Sequence, residues 1–382
     1  MALGPNILPM FEQLGMLDEI RNISVPVTKV SILNGNMKKL ATMELLGEKE
    51  PKLYELLYRR VPAEKISLNK KVLRFEEKTE GGLSRVAIYC SDNTVFEGDL
   101  LVGADGAYSA VRQCLYKHLD ETLGILPKED RESFSIGYVS MLGTTNPQDP
   151  EKYPQLKERH AQYGRVLGGN RRGWSAVNVA GHQICWALNI QLSEEEAKDQ
   201  QFRNSEWGPE ANEAMIREFQ DLPCPWGGKM KDLIDATPKD LISKIFLEEK
   251  VFSTWYYGRT VLIGDGAVNA MQDAVVLANC LYNMTDNSSK SIQTAFEEYY
   301  AQRYHRAHAQ FITSNGMSKI MSGQTLAERM LRKTILNYTP NWIQQQYIAK
   351  SFEYRPQIAW LPLVKNRGTT RVLPQEGKRS VE

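Results

Sequence analysis

Leu100-Leu101-Val102-Gly103-Ala104-Asp105-Gly106-Ala107-Tyr108-Ser109-Ala110-Val111-Arg112 is the stretch on which the reading of the fold turns. Leu100–Val102 is a short unbroken apolar run, the mark of a parallel strand buried on both faces. It passes through a Gly-Ala-Asp-Gly turn into a helix expected from near Ser109 to His118. The same grammar recurs at Val261-Leu262-Ile263, followed by Gly264-Asp265-Gly266 and a helix running to about Met284. In that second helix Ala267, Ala270, Met271, Ala274, Val275, Leu277, Ala278 and Leu281 form a broad apolar face.

A strand, a tight glycine turn and a helix start together make a site for an anion. The first-turn amides have no intrahelical partner and carry the positive end of the helix dipole. Glycine lets a ligand approach the backbone. Asp105 and Asp265, at the strand ends, are placed to accept hydrogen bonds from ribityl or ribose hydroxyls. Each aspartate also has a plainer reading, as a helix N-cap or turn former.

Outward from these units, Ile7–Ile20 reads as one short helix, and residues 25–46 as strands about a turn at Asn34-Gly35-Asn36. A helix is expected over Lys52–Arg60. Ile66–Leu68, Val72–Phe75 and Val86–Tyr89 alternate in strand fashion, with Gly81-Gly82 as a hairpin turn. Residues 133–190 are strand-rich: Phe134–Leu142 alternates, and Trp174–Ile190 reads as a hairpin about Gly181-His182-Gln183. Residues 193–250 read as charged and mostly helical. Ile292 to about Ile348 is helical, and Arg367–Glu382 is a polar tail. There is no internal repeat.

Composition narrows the function. Lys plus Arg number 47 against 46 for Asp plus Glu, so the basic surplus needed to neutralise many phosphates is missing and nucleic acid is a poor partner. The five cysteines are far apart and odd in number, which argues against a disulfide framework or a structural zinc site and for buried thiols in a reducing compartment. No signal peptide and no run long enough to span a bilayer is read, so a cytoplasmic location is expected, with peripheral membrane contact left open.

The motifs carry a resemblance. Leu101–Arg112 resembles the second FAD fingerprint of the para-hydroxybenzoate-hydroxylase-like (class A) flavoprotein monooxygenases, and Gly258–Asp265 resembles their third. Gly266–Ala274 is similar to the helix whose start cradles the flavin ribityl-pyrophosphate. Leu53–Leu57 and Tyr354–Pro362 resemble a fungal branch, and the likeness runs through nearly the whole chain. It implies an α/β fold: an incomplete FAD-binding Rossmann-like domain, an inserted mixed β-sheet substrate domain and C-terminal helices. The implied division is 1–126 for the FAD-binding part, with a strand excursion at 25–46, then 127–250 for the substrate domain. FAD-binding residues resume at 251–300, and 301–382 holds the C-terminal helices and tail. The resemblance also implies FAD as cofactor, NAD(P)H as co-substrate and a small organic substrate hydroxylated or epoxidised with O2. Gly103, Asp105, Gly106, Arg112, Gly264, Asp265, Gly266, Ala267 and Asn269 are the cofactor-binding residues it points to. It names no catalytic side chain.

Three departures from the family pattern are present. No Gly-x-Gly-x-x-Gly occurs in the chain. Glu50-Pro51 stands where relatives carry an Arg before the Leu-Tyr-x-Leu-Leu helix. Gly264-Asp265 runs straight into Gly266-Ala267-Val268-Asn269, without the Pro-containing loop. Together they predict weaker FAD affinity than in a relative that has all three. The alternative they favour is a non-catalytic remnant that binds a small hydrophobic molecule or a partner protein. Trp174, Trp186, Tyr138 and Phe134 read equally as a pocket lining or as sheet core. Arg112 reads as a phosphate partner or as part of a solvated helix face. The five histidines lack companions at metal-ligand spacing.

Overall fold

The structure is a computed structural model, describing residues 2–49, 53–80, 83–132, 135–193, 195–196, 209–264, 266–323 and 325–375. The strands in chain order are β1 (Ala2–Leu3), β2 (Val25–Asn34), β3 (Lys39–Lys49), β4 (Val72–Glu80), β5 (Leu83–Cys90), β6 (Val95–Gly98) and β7 (Leu101–Gly103). They continue as β8 (Ser135–Thr144), β9 (Gln162–Leu167), β10 (Arg172–Val179), β11 (Gln183–Gln191), β12 (Ser243–Glu249), β13 (Tyr256–Tyr257) and β14 (Thr260–Leu262).

Eight of them form one sheet in the order β1-β3-β2-β9-β10-β11-β8-β12. Its pairs are antiparallel except β2 with β9, which run parallel from Lys29 opposite Gln162 to Asn34 opposite Leu167. The strand excursion at 25–46 therefore enters the same sheet as the strands of 127–250. Helices Pro209–Phe219 and Met230–Asp235 cover one face of this sheet and bury Trp174, Trp186, Leu188, Phe219 and Leu233 with it. The Trp174 indole donates to the Pro223 carbonyl and that of Trp186 to the Thr237 hydroxyl, both at 2.8 Å. A buried indole needs such a partner. These two tryptophans are sheet core rather than pocket lining. Phe134 lies outside the described residues.

Two small sheets complete the β-structure of the described residues, β4-β5-β6 and β13-β14-β7. In the second, β7 and β14 pair in parallel, Leu101 opposite Thr260 and Gly103 opposite Leu262. Tyr299, fully buried on the helix Ser289–Ser322, donates its hydroxyl to the Leu262 carbonyl at 3.1 Å and braces β14 from behind. The Arg259 guanidinium, also buried, donates to the carbonyls of Asp99 and Asn287, tying the start of β14 to its neighbours.

Several expectations change. The helix read over Ile7–Ile20 is two, Leu8–Gln13 and Leu17–Ile23, separated where Gly15 takes φ +66°. Ile66–Leu68 forms no strand, because a single 3-10 turn, Ala63–Lys65, uses the local hydrogen bonds. The region 193–250 ends in strand β12, paired with β8, where helix was expected. The Gly81-Gly82 turn lies outside the described residues, although β4 and β5 pair around it as read.

Candidate functional site

Because β7 and β14 are parallel neighbours, their turns emerge side by side at the same end of the sheet. The Ile263 amide donates to the Gly103 carbonyl at 2.9 Å and extends the ladder into the second turn. The two turns line one cavity of about 290 Å³. Gly103, Gly106, Ser109 and Arg112 contribute from the first turn, and Gly264, Asn269 and Asp273 from the second. Lys250, Phe252 and Trp255 form another wall, and Phe311 and Asn315 of the helix Ser289–Ser322 close it.

The first turn is wired to itself. Ser109 caps the helix Ala110–Lys117, its hydroxyl oxygen accepting from the Arg112 amide at 2.9 Å. The Asp105 carboxylate accepts from the Ser109 hydroxyl and, at 3.2 Å, from the Val111 amide. Asp105 thus behaves as the turn-forming aspartate of the plainer reading. Arg112 is buried and donates to the carbonyls of Gly106 and Ala107, at 3.5 and 2.6 Å, while its guanidinium lies 4.3 Å from the centre of the Phe252 ring. The solvated helix face proposed for Arg112 is therefore corrected: the side chain folds back under its own turn.

The second turn is wired differently. Its helix, Ala267–Tyr282, starts at Gly266 with no side-chain cap. Gly266 has φ +90°, and a Cβ placed there would meet nothing within 4 Å, so the backbone is open to a ligand. Gly106 in the first turn is equally open at φ +74°. The turn is held from outside by Asp273, which is buried. One carboxylate oxygen accepts from the Gly264 amide at 2.7 Å and the other from Arg303 Nε at 2.5 Å. Asp265 lies outside the described residues. Ala267 is exposed at the helix start, and Asn269 sits beside Gly264 at the cavity.

The cavity wall carries two cations close to one ring. The Lys250 ammonium stands 4.9 Å from the centre of Phe252, near the Arg112 guanidinium, and donates to the Glu132 carbonyl. Burial holds Lys250 below the ordinary lysine value; Asp130 and Glu132 oppose that shift and Arg112 adds to it. Asp130 is buried and accepts from the amides of Ser253 and Thr254 at 2.7 and 2.9 Å, so it fixes the wall segment that carries Phe252 and Trp255.

Whether a flavin dinucleotide suits this place is a question of donors. An uncapped helix start, an open glycine and two cations suit a pyrophosphate. The volume is at the small end for a ligand pocket. The fit is therefore to the phosphate-bearing part of such a cofactor. Among the described residues no group of His, Cys, Asp and Glu is arranged to hold a metal ion.

Sequence reasoning paired the two turns that the structure sets side by side and did not single out four residues around them. Lys250 and Phe252 sit before β13 in a stretch without a motif. Asp273 and Arg303 are 30 residues apart, and nothing in their spacing announces the pair.

No profile of a known protein family matches the chain. Individual proteins do. The FAD-dependent monooxygenase ausM of Penicillium brasilianum is 24% identical over 402 residues, covering 96% of this chain and 80% of that protein. The FAD-dependent monooxygenase dpfgE of Gibberella zeae is 27% identical over 322 residues, covering 80% of this chain and 65% of that protein. Among solved structures, HpxO of Klebsiella pneumoniae complexed with FAD and uric acid superposes with a TM-score of 0.69 at 19% identity, over 93% of this chain and 86% of that one. A salicylate hydroxylase substrate complex gives 0.65 at 18% identity, over 93% and 89%.

Proposed function

We propose that this chain, a relative of the class A flavin monooxygenases, is an FAD-dependent monooxygenase. It would use NAD(P)H and O2 to hydroxylate or epoxidise a small organic substrate, aromatic or terpenoid-like. The observation that carries this reading is the pairing of β7 with β14, which sets two glycine turns around one cavity lined by Arg112 and Lys250.

The cofactor-binding residues proposed are Gly103, Gly106, Arg112, Gly264, Gly266, Ala267 and Asn269, with Asp105 shaping the first turn and Asp265 carried over from the sequence pattern. Bound here, FAD would supply the redox and oxygen-activating chemistry. The chain's own part is to hold and enclose. The open first-turn amides at Ala267 and the Lys250 ammonium offset phosphate charge. Arg112 keeps the Gly106 turn in shape. Phe252, Trp255 and Phe311 would form apolar walls around the bound cofactor. Asp273 fixes the Gly264 amide so that the turn keeps its shape when a ligand arrives.

The test is flavin retention. The chain mixed with FAD and passed through a sizing column should keep a flavin absorbance spectrum, and Gly266→Val should lose it at unchanged circular dichroism. NADPH oxidation with O2 should follow when substrate is supplied. One observation favours the second reading, a non-catalytic protein that binds a small hydrophobic molecule: the cavity of about 290 Å³. A colourless column fraction with no NADPH oxidation would establish it against the first.

No helix among the described residues is long and apolar enough to cross a membrane. A cytoplasmic location is the reading supported by five free thiols, of which Cys90, Cys224 and Cys280 are buried.

A further inference from the structure

The helices Leu326–Tyr338 and Asn341–Ser351 bury none of their described side chains completely, which is unusual for two successive helices of 13 and 11 residues. In the first, Ile335 and Leu336 are half-buried on the face turned toward the protein, where the helix packs near β3. The outward face carries Leu326 at 69% exposure, Met330 at 64% and Tyr338 at 76%. At 100° per residue these fall within a third of the helix circumference. In the second helix Trp342, Ile343 and Tyr347 are also exposed, spread over about 140° of its circumference with Gln346 and Lys350 between them.

The charges beside these faces have one sign. Arg329 and Lys333 are exposed beside the first face and Lys350 among the exposed residues of the second helix, whereas the acidic residue of the two helices, Glu328, is taken up by a capping box with Thr325. The two helices are anchored to the body from below. Gly323 turns the chain at φ +59°, and Arg332 donates to the carbonyls of Met321 and Ser322 at 2.7 and 3.4 Å. Exposed aliphatic residues with Trp and Tyr, accompanied by cations and braced from behind, have the composition of a helix pair lying in the headgroup region of a bilayer. Single surface apolar residues need no partner; Leu326, Met330 and Tyr338, three large ones on one helix face, do.

We infer that the outward face of residues 326–351 docks on the surface of a membrane containing anionic lipid. The side chains of Leu326, Met330, Tyr338, Trp342 and Tyr347 enter the acyl boundary, and Arg329, Lys333 and Lys350 meet the phosphates. The inference does not depend on flavin binding. It fits that function, since the helix that leads to this face, Ser289–Ser322, is the one that lines the cavity with Phe311 and Asn315.

The experiment is co-sedimentation of the full chain with vesicles of phosphatidylcholine alone and of phosphatidylcholine with one third phosphatidylserine. Analytical ultracentrifugation without lipid runs beside it. The expected result is a monomer that sediments with the anionic vesicles and is released by salt. Met330→Glu/Trp342→Glu and, separately, Arg329→Glu/Lys333→Glu should each weaken binding roughly tenfold or more. All four positions are exposed, so folding is not at stake, and retained flavin binding or an unchanged melting curve confirms this. Protein left in the supernatant with both vesicles overturns the inference. Equal binding to both vesicle types overturns the role of the cations and with it the inference as stated. A dimer without lipid that Met330→Glu/Trp342→Glu dissociates assigns the face to a second copy of the chain and likewise overturns it.

Discussion

The two glycine turns look alike in sequence and are held together by different means. The turn of residues 103–112 is closed by partners within a few residues of one another: Asp105 on Ser109 and Val111, Ser109 on Arg112, and Arg112 on Gly106 and Ala107. The turn of residues 264–269 has no side-chain cap and is held by Asp273, itself held by Arg303 on another helix. A turn that satisfies its own amides meets a ligand mainly through its shape and its open glycine. One that leaves its helix start open, and takes its rigidity from a distance, can bind without unfolding anything. Under the proposed function the first turn brings a preformed shape with Gly106 open beside the cavity, and the second brings an uncapped helix start.

The sharpest way to break that comparison is Asp273→Ala. It leaves the fully buried Arg303 guanidinium without its carboxylate, and removing one partner of a buried pair costs about 3–5 kcal/mol. Chemical denaturation measures it directly. Ser109→Ala removes a local N-cap and is expected to cost about 1 kcal/mol. If the two substitutions cost the same, the second turn is no more dependent on distant support than the first. Asp273→Asn should fall between them, because the amide oxygen still accepts from Gly264.

Gly266→Ala sharpens the comparison next. With φ +90° and ψ +127° this position lies where side chains are strained whatever space surrounds them, and about 1–3 kcal/mol is expected. Ser109→Ala should leave flavin retention close to wild type. Gly266→Ala should reduce retention by more than its stability loss explains, because the added methyl group stands in the open space before the helix start.

The contrast also explains how much was legible in advance. Strands β7 and β14, their glycine turns and both helix starts follow from local rules: unbroken apolar runs, glycines at strand ends and Ser109 placed to cap. Local wiring leaves local signals, and the kinship itself was readable from the same residues. The Asp273–Arg303 pair is a property of how two helices cross, and Lys250 reaches the cavity because Asp130 pins the segment after it. Neither leaves a spacing to count. Strand β12 was misread for a related reason: Ser243–Glu249 is charged enough to pass for a surface helix, and its pairing with β8 is decided by tertiary structure. In Trp174 and Trp186 the sequence showed large aromatic residues without showing which side of the sheet carried the covering helices.

The smallest expected effect concerns the space between the turns. Lys250 lies beside Phe252 close to Arg112, and burial depresses its pKa below the ordinary lysine value of about 10.4. Between the folded-state value and that ordinary value, the unfolded chain still holds a proton that the folded chain has released. Raising the pH through this window therefore favours the folded state, and Lys250 contributes a stability that increases with pH. Cys224 and Cys280, pushed up by burial to about 11 and about 12, act in the opposite sense, losing stability above the ordinary thiol range. Their contribution is common to wild type and Lys250→Met and cancels in the difference. The difference in unfolding free energy, wild type minus variant, should rise across alkaline pH and level off near the ordinary lysine value. A flat difference would mean that Lys250 is as well solvated in the folded chain as in the unfolded one. The cavity wall would then offer an anion no more than a surface lysine does. If the difference rises and added pyrophosphate flattens it, the ammonium between the two turns is where the phosphate charge is met.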